Sequence, residues 1–304
     1  MTRFLRLISF LFFSFFLNAQ SEYIYILGNT QDAGLPHIGC EHKFCQDNFN
    51  SYEEYFVTSI AVVNSDLNKY ILFEATPDIP YQINYLKDNI FGEFLLPETL
   101  YITHAHIGHY TGLMYFGREA LGTKSLLVRA LPKMSEFLKT NGPWSQLVTL
   151  NNINIKETNF GKGNKELSST IVSPIKVPHR DEYSETAAYI IQGKNKKALF
   201  IPDIDKWEKW DKDLVQLVED FDFLLLDATF YDSKEINRDI SEIPHPLVIE
   251  TMTILDSLSP EMKSKVYFIH MNHTNLMLDP SSDLTKFVKG KGFNIARLGM
   301  RLYL

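Results

Sequence analysis

The residues best equipped to do chemistry are the three histidines of Leu100-Tyr-Ile-Thr-His104-Ala-His106-Ile-Gly-His109-Tyr-Thr-Gly112. An apolar, β-branched run leads into them and a helical pattern follows, so the triplet stands where a strand ends and a helix begins. His104 and His106 lie two apart on extended chain and send their imidazoles off one face; the turn into the helix can swing His109 to the same point. Neutral imidazole is the commonest protein ligand for zinc and suits iron as well. Three further groups each close an apolar run: His179 in Val177-Pro178-His179, Asp203 in Phe200-Ile-Pro-Asp203 and His270 in Phe268-Ile-His270. Singly, each reads as a capping or hydrogen-bonding residue. Together they should emerge at the edge of a sheet, where α/β proteins hold their ligands, and converge with the triplet on a metal.

The elements that would position these groups are written in the periodicity. Strand-like runs recur at 23–27, 58–63, 70–73, 99–103, 125–128, 187–191, 198–201, 223–226, 266–269 and 297–303. Longer amphipathic stretches at 78–87, 111–120, 132–140, 207–219, 246–257 and 282–289 read as helices, which gives a layered α/β protein of one domain. The polar segment 141–169, with scattered Gly and Asn, reads as loop or irregular hairpin. A chain of 304 residues that is 45% hydrophobic has ample material for a core.

The N-terminus carries Arg3 and Arg6, then an apolar stretch from Leu7 to Leu17, then Asn18-Ala19-Gln20. This is the order of a secretory signal peptide, with cleavage expected after Ala19 and the mature domain running from 20 to 304, periplasmic or secreted. The alternative is an uncleaved anchor, against which the stretch falls short of the roughly 20 residues a bilayer-spanning helix needs. No later stretch could span a membrane. Loss of Arg3 and Arg6 takes the net charge from −7 to −9, which leaves no invitation to nucleic acid; a small-molecule substrate is expected instead.

The histidine triplet followed by a His, an Asp and a final His resembles the metallo-β-lactamase fold superfamily, whose hallmark is H-x-H-x-D-H. The resemblance covers Tyr23 to Leu304 and implies an αββα sandwich. It further implies that His104, His106 and His179 hold a first metal, and His109, Asp203 and His270 a second, with Asp203 bridging. Gly108 departs from the pattern: the superfamily has there an aspartate that ligates the second metal, and glycine has no side chain to do so. Single-metal occupancy, or iron or manganese in place of zinc, follows as an expectation. A metal held by three imidazoles keeps a position open for water, lowers that water's pKa from about 15.7 to about 7 and polarises a phosphoryl or carbonyl oxygen, which is hydrolytic chemistry.

Within the superfamily the chain is most similar to the pyrroloquinoline-quinone biosynthesis protein B branch and the cyclic-phosphate phosphodiesterase of the carbon-phosphorus lyase pathway. Both carry an N-terminal C-x-C-x-x-C zinc clip, and the phosphodiesterase adds a histidine three residues after its last active-site histidine. The resemblance thus implies a structural Cys2His2 zinc from Cys40, His42, Cys45 and His273. A Cys40–Cys45 disulfide is the competing reading for an exported protein. The Gly-rich segment Gly28-Asn-Thr-Gln-Asp32-Ala-Gly34-Leu-Pro-His37-Ile-Gly39 also resembles the quinone-biosynthesis branch, and His37 faces either the pocket or the surface. Finally, Leu226-Asp227-Ala228-Thr229-Phe230 with the later His245 resembles the tRNase Z branch, which implies that Asp227 orients His245 to protonate a leaving group. The bland alternative is that His245, set between Pro244 and Pro246, shapes a turn. Three functions are therefore expected in order: a hydrolase of small phosphodiesters, esters or lactones; a quinone-biosynthesis-like, iron-dependent oxidation or carrier role; and a binding protein that keeps a metal only to hold a ligand.

Overall fold

The computed structural model describes residues 21–49, 55–180, 182–235 and 244–304. The signal-like segment 1–19 and most of the loop 233–243 lie outside the described residues. Among those residues the strands form two seven-stranded sheets. The first has β1 (Glu22–Gly28), β2 (Ser59–Asn64), β3 (Lys69–Phe73), β4 (Leu100–Tyr101), β5 (Leu126–Ala130) and β6 (Ile153–Glu157) in order, with β14 (Arg301–Tyr303) outside β1. The second runs β13 (Asn294–Ile295), β12 (Val266–Ile269), β11 (Phe223–Asp227), β10 (Lys197–Ile201), β9 (Ala187–Gln192), β8 (Ile171–Lys176) and β7 (Asn164–Lys165).

Alternation along the strands explains the layering. Ile24 and Ile26 of β1 pack with Ile60, Phe73, Tyr189 and Phe200 between the sheets, while Tyr23, Tyr25 and Leu27 face the other way into a separate cluster. That cluster includes residues of helices α2 (Ile79–Leu86) and α4 (Pro132–Thr140). On the far side, α6 (Leu214–Asp220), α7 (Val248–Ile254) and, after the short α8 (Pro260–Lys263), α9 (Asp283–Gly290) bury Leu214, Leu217, Val248 and Val288 against the second sheet. Three apolar interfaces separate four layers, so both faces of each sheet are buried and the strands read as apolar runs. The expected αββα sandwich is what the chain forms.

Several boundaries differ from the sequence reading, each for a local reason. The segment 141–169 holds helix α5 (Trp144–Thr149) and strands β6 and β7; β6 is an edge strand with most side chains toward solvent, so its polarity hid it. The stretch 207–219 is broken into a 3-10 turn (Trp207–Lys209) and α6, because Asp213 caps the second piece by accepting hydrogen bonds from the Val215 and Gln216 amides. The expected strand 99–103 is only Leu100–Tyr101, since the chain leaves the sheet to carry His104 into the interior. Strand β8, Ile171–Lys176, was not anticipated.

Candidate metal centre

In the first sheet β1, β3 and β4 run the same way, as do β8, β10, β11 and β12 in the second. The residues that follow their C-terminal ends meet at one edge of the sandwich. They are Asp32 beyond β1, Glu74 after β3, His104 and His106 beyond β4, His179 beyond β8, Asp203 beyond β10, Asp227 at the end of β11 and His270 after β12. His109 joins them from the short helix α3 (Ile107–Tyr110), which His106 begins.

Three donor groups share Asp203: His104, His106, His179 and Asp203; Asp32, His109, Asp203 and His270; and Asp203, Asp227 and His245. In the first, His104 Nε2 lies 2.8 Å from His106 Nδ1 and 3.3 Å from Asp203 Oδ2. His179 Nε2 lies 3.3 Å from His106 Nδ1 and 3.2 Å from Asp203 Oδ2, which is 3.9 Å from His106 Nδ1. Four tetrahedral donors at bond lengths of about 2.0–2.1 Å sit about 3.3–3.4 Å from one another, so the spacing suits a zinc-sized ion. In the second group His109 Nε2 lies 3.0 Å from Asp32 Oδ1 and 3.7 Å from Asp203 Oδ2, and His270 Nε2 lies 3.3 Å from Asp32 Oδ1.

The unpaired atoms fit metal binding too. His109 Nε2 is buried and close to a carboxylate, yet makes no hydrogen bond, and Asp203 Oδ1 is likewise buried without one. Buried polar atoms left so are costly unless something else satisfies them. Each imidazole also has its other nitrogen facing an oxygen: Thr103 Oγ1 at 2.9 Å from His104 Nδ1, Asp205 Oδ1 at 3.2 Å from His179 Nδ1 and Thr229 Oγ1 at 3.1 Å from His270 Nδ1. Glu74 Oε1 at 3.5 Å from His109 Nδ1 and Glu182 Oε2 at 3.6 Å from His106 Nε2 are near but make no hydrogen bond, so the bonded partners are those of His104, His179 and His270. Such partners fix ring orientation in metal sites. Glu74 and His270 hold positive φ, 75° and 64°, a conformation that non-glycine residues adopt rarely.

Charge agrees with this geometry. Burial alone would raise the Asp203 carboxyl, but His179 and His245 hold it well below the usual carboxylate range. Asp32 is likewise held down against burial, by His109 and His270. Both are therefore ready anionic ligands. His245 Nδ1 lies 2.9 Å from Asp227 Oδ2 and 3.2 Å from Asp203 Oδ1, so the expected pair is in contact and stands against the donor cluster. Asp227 also accepts hydrogen bonds from the Thr229 amide and hydroxyl at 2.8 and 2.7 Å and from the Ile204 amide at 3.1 Å, which locks the carboxylate. Burial opposes protonation of His245, but Asp227 and Asp203 outweigh it and push its pKa well above the ordinary value.

Among the candidate donors the side chains most open to solvent are Asp32 and His106, 21% and 15% exposed against 3% or less for the rest, so access is from their side. Beside His179 a cavity of about 610 Å³ is lined by Lys133, Lys176, Lys209, Lys212, Asp205 and Trp210, among others.

Away from this centre, Cys40, Cys45 and His273 bring their donor atoms within 4.8 Å of one another. The cysteines are buried and not joined, and His273 Nδ1 is buried without a hydrogen-bond partner. His42, expected as a ligand in place of the clip's middle cysteine, is an exposed residue at the start of α1 (Lys43–Asn48) and stands outside this group. His37 instead stacks on His273, ring centroids 4.0 Å apart. The sequence reading did not single out Asp32, Glu74, Asp205 or Thr229 for the centre. Asp32 carried a signal all the same: an acid in a Gly-rich loop after the first strand, in a chain whose usual aspartate is Gly108.

Comparison with known proteins agrees. The coenzyme PQQ synthesis protein B of Klebsiella pneumoniae is 25% identical over 318 residues, covering 93% of this chain and 98% of that one. The Zn2+-bound PqqB from Methylobacterium extorquens superposes with a TM-score of 0.75 at 19% identity, over 93% of this chain and all of that one. A diphosphatase of the PhnP family superposes at 0.61 with 20% identity, over 92% and 96%. The model of the β-lactamase superfamily domain matches residues 70–271, so two sandwiched sheets, ligands at their common edge and sequence agree that the chain belongs to that superfamily.

Proposed function

We propose that the protein is a metal-dependent hydrolase of small phosphodiesters, with esters and lactones as the broader class, and that zinc or manganese is its metal. The observation that carries this reading is the carboxylate–imidazole pair Asp227–His245 set against Asp203, at the junction of the two donor groups. A divalent ion held there supplies an acidified water and a Lewis acid for the scissile oxygen or carbonyl.

The chain's own residues do the rest. His104, His106, His179 and Asp203 hold the first ion, with Asp205 and Thr103 keeping the rings aimed. Asp227 holds His245 through Nδ1, which turns Nε2 outward as the atom that gives a proton to the departing oxygen. Four lysines against three acids line the adjoining cavity, a local excess of positive charge on a chain of net −7, which suits an anionic substrate. The buried, unlinked cysteines and His273 make a structural zinc our reading for the clip rather than a disulfide. Residues 2–20 carry the further proposal that the domain works in the periplasm or outside the cell; mass spectrometry of the mature N-terminus tests it.

The test is turnover of bis(p-nitrophenyl) phosphate, p-nitrophenyl esters and a lactone by protein reconstituted with zinc or manganese. Turnover of the phosphodiester above the other two supports the reading; no turnover of any overturns it. The kinship with coenzyme PQQ synthesis protein B favours a second reading, iron-dependent oxidation or a carrier role, and iron as the dominant metal of protein grown without supplement would favour it.

A further inference from the structure

A glycine in place of an expected ligand usually means a ligand lost. Here the space is filled from elsewhere in the chain. A Cβ on Gly108 would come within 2.5 Å of Asp32 Cα and 2.6 Å of Asp32 Oδ1, distances that no side chain at 108 could hold without moving the Asp32 backbone. Asp32 points into the same group of donors that an aspartate at 108 would serve: its Oδ1 is 3.0 Å from His109 Nε2 and 3.3 Å from His270 Nε2.

Backbone contacts hold it there. The Gln31 amide donates to the Met271 carbonyl at 2.8 Å and the Met271 amide to the Asn29 carbonyl at 2.8 Å, which binds the loop to the residue beside His270. The Thr30 amide donates to the Phe56 carbonyl at 3.1 Å and the Thr58 amide to the Thr30 carbonyl at 2.8 Å. A turn closes behind Asp32, where the Gly34 amide donates to the Gln31 carbonyl at 2.7 Å. A carboxylate fixed in this way needs little reorganisation to ligate.

We propose that Asp32 is the terminal carboxylate ligand of a second divalent ion, and that Gly108 is the residue that admits it. The ligand has moved from helix α3 to the loop after β1, and the centre holds two ions with Asp203 between them. This rests on the metal-centre reading above and deepens it: the loop that carries Asp32 is also the one whose far end, Cys40, enters the clip with His273, three residues beyond His270.

The test uses the full mature chain loaded with Mn2+, the ions counted by elemental analysis and their coupling read by electron paramagnetic resonance. Wild type is expected to give an exchange-coupled pair. Asp32→Asn should bind one ion fewer per chain, lose the coupled signal and bind its second Mn2+ at least about a hundredfold more weakly, with the first ion's affinity little changed. Gly108→Ala, whose Cβ would drive against the Asp32 Cα, should displace Asp32 and likewise lose the second ion while the first remains. Should Asp32→Asn fail to fold, Gly108→Ala decides alone: loss of the coupled pair with the first ion retained supports the proposal, and an intact pair overturns it. A coupled pair that survives in Asp32→Asn overturns the assignment of Asp32 and leaves the hydrolase reading standing. A wild-type centre with a lone ion overturns the two-ion centre itself.

Discussion

The two halves of the metal centre were assembled differently. The first donor group draws two ligands from one short motif, His104 and His106, whose positions follow from extended chain at the end of β4. The second gathers its members from four separate segments, and one of them, Asp32, comes from a loop far away in sequence. Local spacing specifies the first group. Packing across the fold specifies the second: the Asp32 loop is hydrogen-bonded to Met271 beside His270 and lies against Gly108 of α3. A motif with a missing letter is therefore no evidence of a missing site until the neighbouring loops have been placed.

The largest effect that separates the halves should come from the first group. His104→Ala or His179→Ala should lower kcat for a phosphodiester by at least about a thousandfold, because Lewis-acid assistance is worth several kcal/mol; steady-state kinetics with matched metal loading would check it, and retention of activity would mean that this group is not the catalytic one. Next is His245→Ala, expected to cost about 10²–10⁴ in kcat for an alkyl leaving group and far less for p-nitrophenolate, which departs without a proton. An equal loss on both substrates would assign His245 to shaping the site rather than to proton delivery. Asp205→Ala should weaken first-ion affinity by about 10–100-fold through loss of the oxygen that aims His179, with the second ion less affected; competition against a chelator reads both.

The smallest effect serves as a control remote from both groups. Burial would raise the Glu22 carboxyl, but hydrogen bonds from Ser169, Ser168, Asn64 and Thr170 hold it down at about 2 in the fold. A depressed folded-state pKa stabilises above the unfolded value near 4.5 and is lost as pH falls from there toward 2. Glu22→Gln should therefore flatten the acid limb of the stability curve between those values while ion binding at neutral pH stays as it was. Denaturant melts across that range would check it, and an unchanged acid limb would contradict the assignment.

Much of this was legible in the sequence, for identifiable reasons. His104, His179, Asp203 and His270 each close an apolar run, and strands that run the same way put such ends at one edge; His106 and His109 follow from their spacing after His104. The Asp227–His245 contact followed from resemblance to a motif. What escaped was decided by packing across the sandwich. Glu74 reads as an ordinary charge after a strand until its burial beneath His109 is seen. Strand β6 and helix α5 were lost to the polarity of an edge segment. His42 has the right chemistry for the clip but begins a helix that turns it toward solvent, while His37, five residues earlier, stacks on His273.

The most direct test of the two-group centre is a crystal structure of the zinc-loaded chain with an anomalous difference map collected above the zinc edge. Two peaks on either side of Asp203 Oδ2, one among His104, His106 and His179 and the other among Asp32, His109 and His270, are the expected result. A single peak in the first group, with Asp32 turned away to solvent, would contradict it.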